Sequence, residues 1–530
     1  MIFKASPPLK STKDQYGNII YHCNAFVNMV KYKKWRRYIY MKAKITVNKD
    51  FKIGEIDKRI YGSFIEHIGR AVYEGVCEPE HETSDDMGFR RDVIDMVKSI
   101  DVPIVRYPGG NFVSGYRWTD GVGDKSKRPK RLDLAWKSIE TNQIGIDEFQ
   151  EWARRANTEV MMAVNLGLGT PSDAQNLLEY CNLETDTKYA NMRRENGFEK
   201  PFGIKTWCLG NEMDGRWQIG SKTAEEYGRI ANETAKVMKW TDPTVELVVC
   251  GSSNYNMPTF GQWELTVLDH TYDNVDYISL HQYYGNRRNN TPDFLGRPIH
   301  MDAFIKSVAA ICDAIKAKKH SQKTVNLSFD EWNVWYQNAP TTPKDWQEAP
   351  PILEEVYTFE DALVVGGLLI TLQNNCDRVK MACLAQLINV IAPIMTVKGG
   401  KTWAQTIYYP YMYSSVCGRG TTLRSMVDCE SYTTTDRFEV PFISASVINN
   451  EEKRELVVFA VNRYLEDDID LDLDLQGFEG ATLQKHIELY SDDLKQTNSA
   501  GAEAVSPTEK AIADKVTLTK HSWNMLVYKY

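Results

Sequence analysis

Hydrophobic runs of strand length recur along the first four hundred residues and alternate with amphipathic segments of helical length. Segments such as FRRDVIDMVKSI and IDEFQEWARRA show the spacing of a helix with one buried face. Near-continuous apolar strands that alternate with helices are typical of a parallel sheet covered by helices. Eight such repeats predict a (β/α)8 barrel over residues 59–400. The eight apolar runs span residues 60–67, 102–110, 159–167, 204–212, 246–253, 275–283, 326–333 and 380–389.

The pattern changes after about residue 400. In the segment DIDLDLDLQ, for example, aliphatic and acidic residues alternate, which predicts strands with one buried and one solvated face. We expect a jelly-roll-like antiparallel β-sandwich over residues 401–530, joined by a strand from residues 41–58. The predicted fold class is therefore α/β, a (β/α)8 TIM barrel with a C-terminal antiparallel β-sandwich.

Charge is distributed unevenly along the 530 residues, whose formal net charge is −8. Residues 1–40 carry eight Lys or Arg against one Asp, which leaves −15 for the rest. An acidic body argues against a nucleic-acid partner, because phosphate binding needs a basic footprint. We expect residues 1–40 to be a disordered or non-native extension, with a basic arm as the alternative. They contain no apolar run long enough for a signal peptide or a membrane span, so no membrane association is expected.

The ten cysteines are scattered singly, with no CxxC pair and no regular spacing. This argues against a disulfide framework and a zinc site, and it favours a cytoplasmic protein. The aspartates near residue 470 resemble a calcium loop, but Leu473 stands where such a loop needs glycine. We therefore expect no metal and no cofactor.

Polar residues gather at or just beyond the ends of the predicted barrel strands. Barrel enzymes place their active sites at this face, because the chain leaves the packed interior there and can present side chains to a ligand. An Asn or Glu in such a position can also simply cap the next helix. A whole set at one face favours a site made of Glu66, Arg106, Asn111, Asn165, Asn211, Glu212, His281, Tyr283, Glu331 and Gln386.

Two glutamates stand out within this set. Glu212 closes the fourth predicted strand in WCLGNEMDG, and Glu331 closes the seventh in FDEWNVWY, 119 residues later. Strands four and seven lie across the mouth of an eight-stranded barrel, so the two carboxyls are expected to face each other over a cleft. Two opposed carboxyl groups are the minimum requirement for glycoside hydrolysis. Asp214 is expected to be structural, since an acid is favoured near a helix start.

Six motifs in order resemble those of the family 51 glycoside hydrolases, which are α-L-arabinofuranosidases. The resemblance runs from about Met41 to the C-terminus. The motifs are GSFIEHIGRAVYEG, VRYPGGNFVSGYRWTDGVG, WCLGNEMDG, SLHQYYGN, FDEWNVWY and AQLINVIAPIMT.

The resemblance implies a retaining, exo-acting enzyme that releases terminal α-L-arabinofuranosyl residues from arabinan- and arabinoxylan-derived oligosaccharides. It makes Glu212 the acid/base and Glu331 the nucleophile, with Arg106 supporting the nucleophile and Trp335 walling the sugar pocket. It also implies a homohexamer. The positions that match the family's sugar-binding residues are Glu66, Asn111, Asn211, His281, Tyr283 and Gln386.

Other functions remain open at this point. A related endoglucanase or β-xylosidase would use the same barrel and carboxyls, and only the size of the sugar pocket would distinguish it. A non-catalytic carbohydrate-binding barrel is disfavoured, because a binder needs neither Glu212 nor Glu331. Oligomeric scaffolding is a further alternative, with the long loops 286–300 and 337–351 as contacts. Trp346, in the second loop, is a candidate for stacking on the aglycone.

Overall fold

The computed structural model describes residues 11–13, 19–21, 41–513 and 515–530. Residues 1–40 form one unit and residues 41–530 a second. In the first unit the strands Ser11–Lys13 and Ile19–Tyr21 pair in antiparallel fashion. The prediction of a disordered or non-native extension falls mostly outside the described residues.

Eight parallel strands close into a barrel in chain order, which confirms the predicted TIM barrel. The interior is filled by residues such as Phe64, Met161 and Met381, all at most 1% exposed, so the barrel is a packed core. Each strand ends within a few residues of the predicted limit. The strands are Gly62–Phe64, Ile104–Tyr107, Glu159–Val164, Thr206–Leu209, Glu246–Val249, Tyr277–Tyr284, Asn326–Val334 and Val379–Ala385.

Helices surround the barrel, and side-chain caps define several of their starts. Thr223 accepts a hydrogen bond from the backbone N–H of Glu226, whose carboxylate bonds back to Thr223, a reciprocal capping box. None of the helices in the described part of the chain combines the length and apolar character needed to cross a bilayer. The helices are Arg91–Ile100, Ile146–Ala156, Pro171–Asn182, Lys188–Glu195, Ala224–Thr241, Gln262–Thr271, Thr291–Leu295, Pro298–Lys318, Phe359–Asn374 and Tyr408–Cys417.

The last of these helices lies beyond residue 400, the predicted end of the barrel. Tyr408–Cys417 follows the eighth barrel strand and packs against the helices Arg91–Ile100 and Phe359–Asn374. It therefore completes the eighth βα unit, although it lies within the range 401–530 assigned to the sandwich. Its sequence, YYPYMYSSVC, has no polar face, so its hydrophobic pattern did not indicate a helix.

The second layer of the structure is a nine-stranded sheet that includes the long strand Met41–Glu55. Neighbouring strands are antiparallel, except that Met41–Glu55 runs parallel to Ile469–Gln476. Ile45 and Leu526, both 0% exposed, lie in its core. The strand order is Thr508–Glu509, Thr482–Leu489, Ser522–Lys529, Glu455–Asn462, Ile443–Asn450, Thr421–Asp428, Met41–Glu55, Ile469–Gln476 and Val516–Leu518.

Short hairpins and 3-10 helices complete the described structure. The hairpin of Arg131–Asp133 and Ser138–Glu140 follows the second barrel strand, and the hairpin of Ser431–Thr433 and Glu439–Pro441 extends from the sandwich. The first hairpin carries Trp136, which bonds to Glu66, and the second carries Asp436, which pairs with Arg297. The remaining elements are the strands Ile394–Thr396 and Thr402–Ala404 and the 3-10 helices Lys58–Tyr61, Phe112–Gly115, Trp118–Gly121 and Lys125–Lys127.

The contact between sandwich and barrel depends on a glycine. Gly366, in the helix Phe359–Asn374, lies directly against the indole of Trp523, and a β-carbon there would overlap the ring. We expect Gly366→Ala to lower the free energy of unfolding by about 1–2 kcal/mol, because overpacking outweighs the gain in helix propensity. Urea unfolding measures this. Gly501→Ala, whose β-carbon would meet no atom within 4 Å, is the control, and equal midpoints for the two variants would contradict the prediction.

Candidate active site

A cavity of about 700 Å³ opens at the carboxyl ends of the barrel strands. Most of the residues that the sequence singled out line it. Arg106, Asn211 and His281 do not line it but bond to residues that do, and each is at most 2% exposed. The lining includes Glu66, Asn111, Glu212, Tyr283, Glu331, Trp335 and Gln386.

Glu212 and Glu331 face each other across this cavity. Glu212 follows the fourth barrel strand at a sharp turn, where Gly210 has φ of 92° and Glu212 itself has φ of 43°, both in the left-handed region. Glu331 lies within the seventh strand, paired in register with His281. A carboxylate oxygen of Glu212 and one of Glu331 lie within 4.8 Å of each other. This separation matches the short spacing of retaining glycosidases and is below the wider spacing of inverting ones.

The carboxylate of Glu331 is held by a cation and a hydroxyl group. Arg106 donates to its Oε2 at 2.9 Å, and the hydroxyl of Tyr283 donates to its Oε1 at 2.9 Å. Burial and the charge of Glu331 hold the pKa of Tyr283 well above its usual value, so this hydroxyl keeps its proton. Both donors hold the Glu331 carboxylate in place, an arrangement suited to a carboxylate nucleophile.

The environment of Glu212 favours the opposite protonation state. Burial, and then the negative charge of Glu331, raise the pKa of Glu212. Two donors oppose this rise, because His281 Nδ1 lies 3.1 Å from its Oε1 and Trp217 Nε1 donates to its Oε2 at 2.6 Å. The raised pKa suits Glu212 to begin a reaction in its protonated form.

His281 connects the two glutamates to a third acid, Asp330. Its Nε2 lies 3.0 Å from Asp330 Oδ1, and its Nδ1 lies 3.1 Å from Glu212 and 3.5 Å from Glu331. Burial works against a charged ring, but the surrounding carboxylates outweigh it and raise the pKa of His281 to about 10. The ring is thus a cation at neutral pH, with both nitrogens donating.

Sequence reasoning missed Asp330 although it precedes Glu331. In a regular strand neighbouring residues point to opposite faces, so only one of the two acids was expected to face the barrel interior. The register between the seventh and eighth strands shifts between Phe329 and Trp332, and this irregularity lets both acids point inward. Asp330 is 1% exposed and bonds to His281 from below the cavity.

Three donors hold the carboxylate of Glu66, which lines the cavity. Its Oε1 accepts from the backbone N–H of Phe112 and from Trp136 Nε1, both at 2.8 Å, and its Oε2 accepts from Gln386 at 3.3 Å. Burial outweighs these bonds and raises the pKa of Glu66 to about 8. Gly109, with φ of 156°, is required here, because a β-carbon would lie 2.6 Å from Glu66 Cγ.

Asn211 lies beneath the cavity and bonds to protein atoms. Its Oδ1 accepts from Arg106 at 2.7 Å, and its Nδ2 donates to Gln218 at 3.2 Å and to Asn111 at 3.4 Å. Asn211 therefore links the arginine that holds Glu331 to the wall of the cavity. Its predicted contact with a sugar hydroxyl stays a prediction.

Three other singled-out residues lie apart from the cavity lining. Asn165 accepts hydrogen bonds from three backbone N–H groups in its own loop, starting with Gly167 at 3.0 Å. Asp214 accepts from the backbone N–H of Ser253. Trp346 is 40% exposed and does not line the cavity. Sequence reasoning missed two further aromatic residues of the lining, because both stand on loops. Trp217 donates to Glu212 and Trp136 donates to Glu66.

Glu212, His281 and Glu331 together could offer three ligand atoms to a metal ion. The chemistry of this set does not suit one. A metal-binding histidine must be neutral, whereas the pKa of His281 is raised to about 10. In addition, the guanidinium of Arg106 already occupies Glu331 at 2.9 Å. The three groups fit proton transfer better than cation binding.

A TIM barrel whose mouth brings two carboxyls together at this spacing, one held by an arginine and a tyrosine hydroxyl and the other with a raised pKa, is typical of a glycoside hydrolase. Comparisons with known proteins narrow this class. A model of the α-L-arabinofuranosidase 1 domain matches residues 96–292, and a model of the α-L-arabinofuranosidase C-terminal domain matches residues 330–522. This chain belongs to the α-L-arabinofuranosidases of glycoside hydrolase family 51.

Individual relatives cover nearly the whole chain. An intracellular exo-α-(1→5)-L-arabinofuranosidase of Bacillus subtilis strain 168 is 56% identical, over 92% of this chain and 99% of the relative. An exo-α-(1→6)-L-arabinofuranosidase of Bifidobacterium longum is 45% identical, over 92% and 97%. The solved structure of a family 51 α-L-arabinofuranosidase from Bifidobacterium longum matches with a TM-score of 0.88 at 42% identity, over 92% and 99%.

The hydrogen bond from Trp217 predicts a change in the pH profile. Because the indole N–H stabilises the Glu212 carboxylate, Trp217→Phe should raise the pKa of Glu212. If Glu212 must be protonated for the reaction, it then keeps its proton up to a higher pH. The alkaline limb of the kcat/KM profile should therefore shift to higher pH. The plateau should fall by at most about tenfold, the cost of one hydrogen bond. Kinetics on p-nitrophenyl α-L-arabinofuranoside across the pH range measure both effects.

Trp335→Phe is the matched control for this experiment. Trp335 also lines the cavity, but its indole nitrogen is buried without a hydrogen-bond partner in the described part of the structure. Removing that N–H should leave the alkaline limb in place. An equal displacement in both variants would contradict the role given to Trp217.

Proposed function

We propose that this protein is a retaining, exo-acting enzyme that releases terminal α-L-arabinofuranosyl residues from short arabinan- and arabinoxylan-derived oligosaccharides. The observation that carries the proposal is the placement of the Glu212 and Glu331 carboxylates within 4.8 Å of each other. In an inverting enzyme these groups stand farther apart, to admit a water between them.

Glu331 acts as the nucleophile in the first step. It attacks the anomeric carbon as the glycosidic bond breaks, and Glu212 gives its proton to the departing oxygen. The products are a free aglycone and a β-arabinofuranosyl ester on Glu331. Arg106 and Tyr283, which hold the two carboxylate oxygens of Glu331, orient it for this attack.

Glu212 acts as the base in the second step. Esterification removes the negative charge of Glu331, which had helped to raise the pKa of Glu212. The pKa of Glu212 therefore falls, so that Glu212 stays ionised after losing its proton. In this form it can accept a proton from an incoming water. Attack of this water on the ester releases arabinose with its α configuration retained and restores both carboxyls.

The surroundings of Glu66 support exo action. Trp136 and Gln386 both donate to Glu66, and we expect this group of side chains to block a further unit beyond a sugar seated against Glu331. In the proposed complex Trp335 forms one wall of the sugar pocket. The residues that bind this sugar are Glu66, Asn111, Asn211, His281, Tyr283 and Gln386.

The linkage and the setting follow from the relatives. The more similar of the two reported relatives is named for α-(1→5) linkages and as intracellular, and we extend both properties to this chain. All cysteines in the described part of the chain are free thiols, which agrees with a cytoplasmic location. The resemblance to family 51 implies a homohexamer, and we propose the same assembly for this protein. Light scattering would test it.

Hydrolysis of defined substrates tests the proposal. The intact protein should cleave p-nitrophenyl α-L-arabinofuranoside, and NMR of the first product should show the α anomer. Linear α-(1→5)-arabinotriose should lose one sugar at a time from its non-reducing end. Cleavage of a β-D-xyloside or a β-glucan in place of these substrates would favour the related β-xylosidase or endoglucanase, and an initial β anomer would overturn retention.

A further inference from the structure

Charges in the cavity are separated into two zones. The acids that line it, Glu66, Glu212 and Glu331, lie at the reaction end. The basic residues that line it all come from one segment after the sixth barrel strand, namely Arg287, Arg297 and His300. We call the part of the lining formed by Arg287, Arg297 and His300 the outer wall. The acidic end is suited to the neutral sugar and the reaction, whereas the outer wall is suited to an anionic group.

A tight turn presents Arg287 to the cavity. The backbone N–H of Asn289 donates to the carbonyl of Asn286 at 3.0 Å, and the N–H of Asn290 donates to the side chain of Asn286 at 2.7 Å. The turn leaves Arg287 and Arg288 exposed, but only Arg287 lines the cavity. Arg287 makes no ion pair with any residue that the structure describes.

The other two basic residues share one acid. Asp436, from the hairpin that extends out of the sandwich, lies 3.0 Å from Arg297 and 3.4 Å from His300. Burial and the nearby Arg297 lower the pKa of His300, so His300 is neutral at neutral pH. Asp436 therefore pairs with Arg297, and Asp293 also acts on His300, which leaves Arg287 as the basic residue of this lining that has no ion pair among the described residues.

This positive wall is unexpected in a protein of net charge −8. The field of a negatively charged protein repels anions at long range. The net charge therefore does not explain why basic residues line the cavity. A guanidinium group is the side chain best matched to a carboxylate, because its planar donors can bind both oxygens.

We propose that the outer wall, through Arg287 and Arg297, binds a carboxylate carried by the aglycone, such as that of a uronosyl residue on the oligosaccharide. The inference rests on the proposed function, since it concerns the leaving part of the same substrate. It adds a charge preference: among α-L-arabinofuranosides, those with an acidic aglycone are favoured over their neutral counterparts.

A pair of aryl substrates tests this preference. The probes are 4-carboxyphenyl α-L-arabinofuranoside and its methyl ester, and the quantity is the ratio of kcat/KM for the acid to that for the ester. Arg287→Gln should lower this ratio about three- to fivefold, the value of one partly exposed ion pair. Arg288→Gln is the matched control, because it removes the same charge one residue away from the cavity lining, and it should change the ratio by less than about 1.5-fold.

A third variant should act in the opposite direction. Asp436→Asn removes the acid that neutralises Arg297 and should raise the ratio about two- to threefold. Raising the salt concentration to about 0.5 M should bring the ratios of all variants together, because salt screens exposed charges. A merely structural role for these residues would not produce effects of opposite sign.

The outcomes separate this inference from the proposed function. Equal ratios for the intact protein, Arg287→Gln and Arg288→Gln, with both substrates hydrolysed, would overturn the carboxylate site and leave the proposed function standing. Failure of the intact protein to hydrolyse either substrate would overturn the proposed function and the inference with it.

Discussion

Glu331→Ala is expected to lower kcat on p-nitrophenyl α-L-arabinofuranoside by about 10⁴-fold or more, because no other group can form the covalent intermediate. The remaining acids near the anomeric carbon cannot take over. Asp330 is bound to His281 below the cavity at 3.0 Å, Glu66 is held by Trp136 and Gln386, and Glu212 is the proton donor in the proposed mechanism. Steady-state kinetics on purified variant, with circular dichroism to verify folding, measure the loss.

Glu233→Ala provides the control for this loss. Glu233 is an exposed acid in the helix Ala224–Thr241, paired with Lys236, and its removal should leave kcat unchanged within about twofold. A folded Glu331→Ala variant that keeps more than a small fraction of the intact activity would remove Glu331 from its assigned role.

Glu212→Ala is expected to lower kcat by about 10²–10⁴-fold, the usual contribution of a general acid/base. Azide should then restore turnover by about tenfold or more, since this anion attacks the ester on Glu331 without help from a base. The product should be α-L-arabinofuranosyl azide, because two inversions retain the configuration. Chromatography and NMR of the azide product check both parts.

Asp214→Asn is the matched control for the azide experiment. Asp214 lies two residues beyond Glu212 but bonds to Ser253, so its variant should neither lose its general acid nor respond to azide. Rescue of Asp214→Asn, with none for Glu212→Ala, would exchange the two assignments.

The barrel and its two main carboxyls could be predicted because their signals are local. Each strand is a short apolar run, and Glu212 and Glu331 stand at the ends of such runs in motifs that are intact. Their separation along the chain also indicates strands on opposite sides of the mouth. Periodicity and spacing thus carried most of the fold and the centre of the site.

The rest depends on contacts that no local pattern encodes. Asp330 faces inward only because the strand register shifts beside it. Trp217 and Trp136 reach the carboxyls from loops whose paths depend on the neighbouring loops. The helix Tyr408–Cys417 packs against the helices Arg91–Ile100 and Phe359–Asn374 and has no polar face. The amphipathic signal of a surface helix is therefore missing.

The position of the strand Met41–Glu55 has a consequence for synthesis of the protein. It lies inside the sheet between Thr421–Asp428 and Ile469–Gln476, partners that the ribosome makes after the entire barrel. Until they emerge, a long strand with two open edges must wait, and such edges invite pairing with other chains. The first strand of the body therefore stays unpaired throughout synthesis of the barrel, so the sandwich closes only after the barrel between its parts has been made.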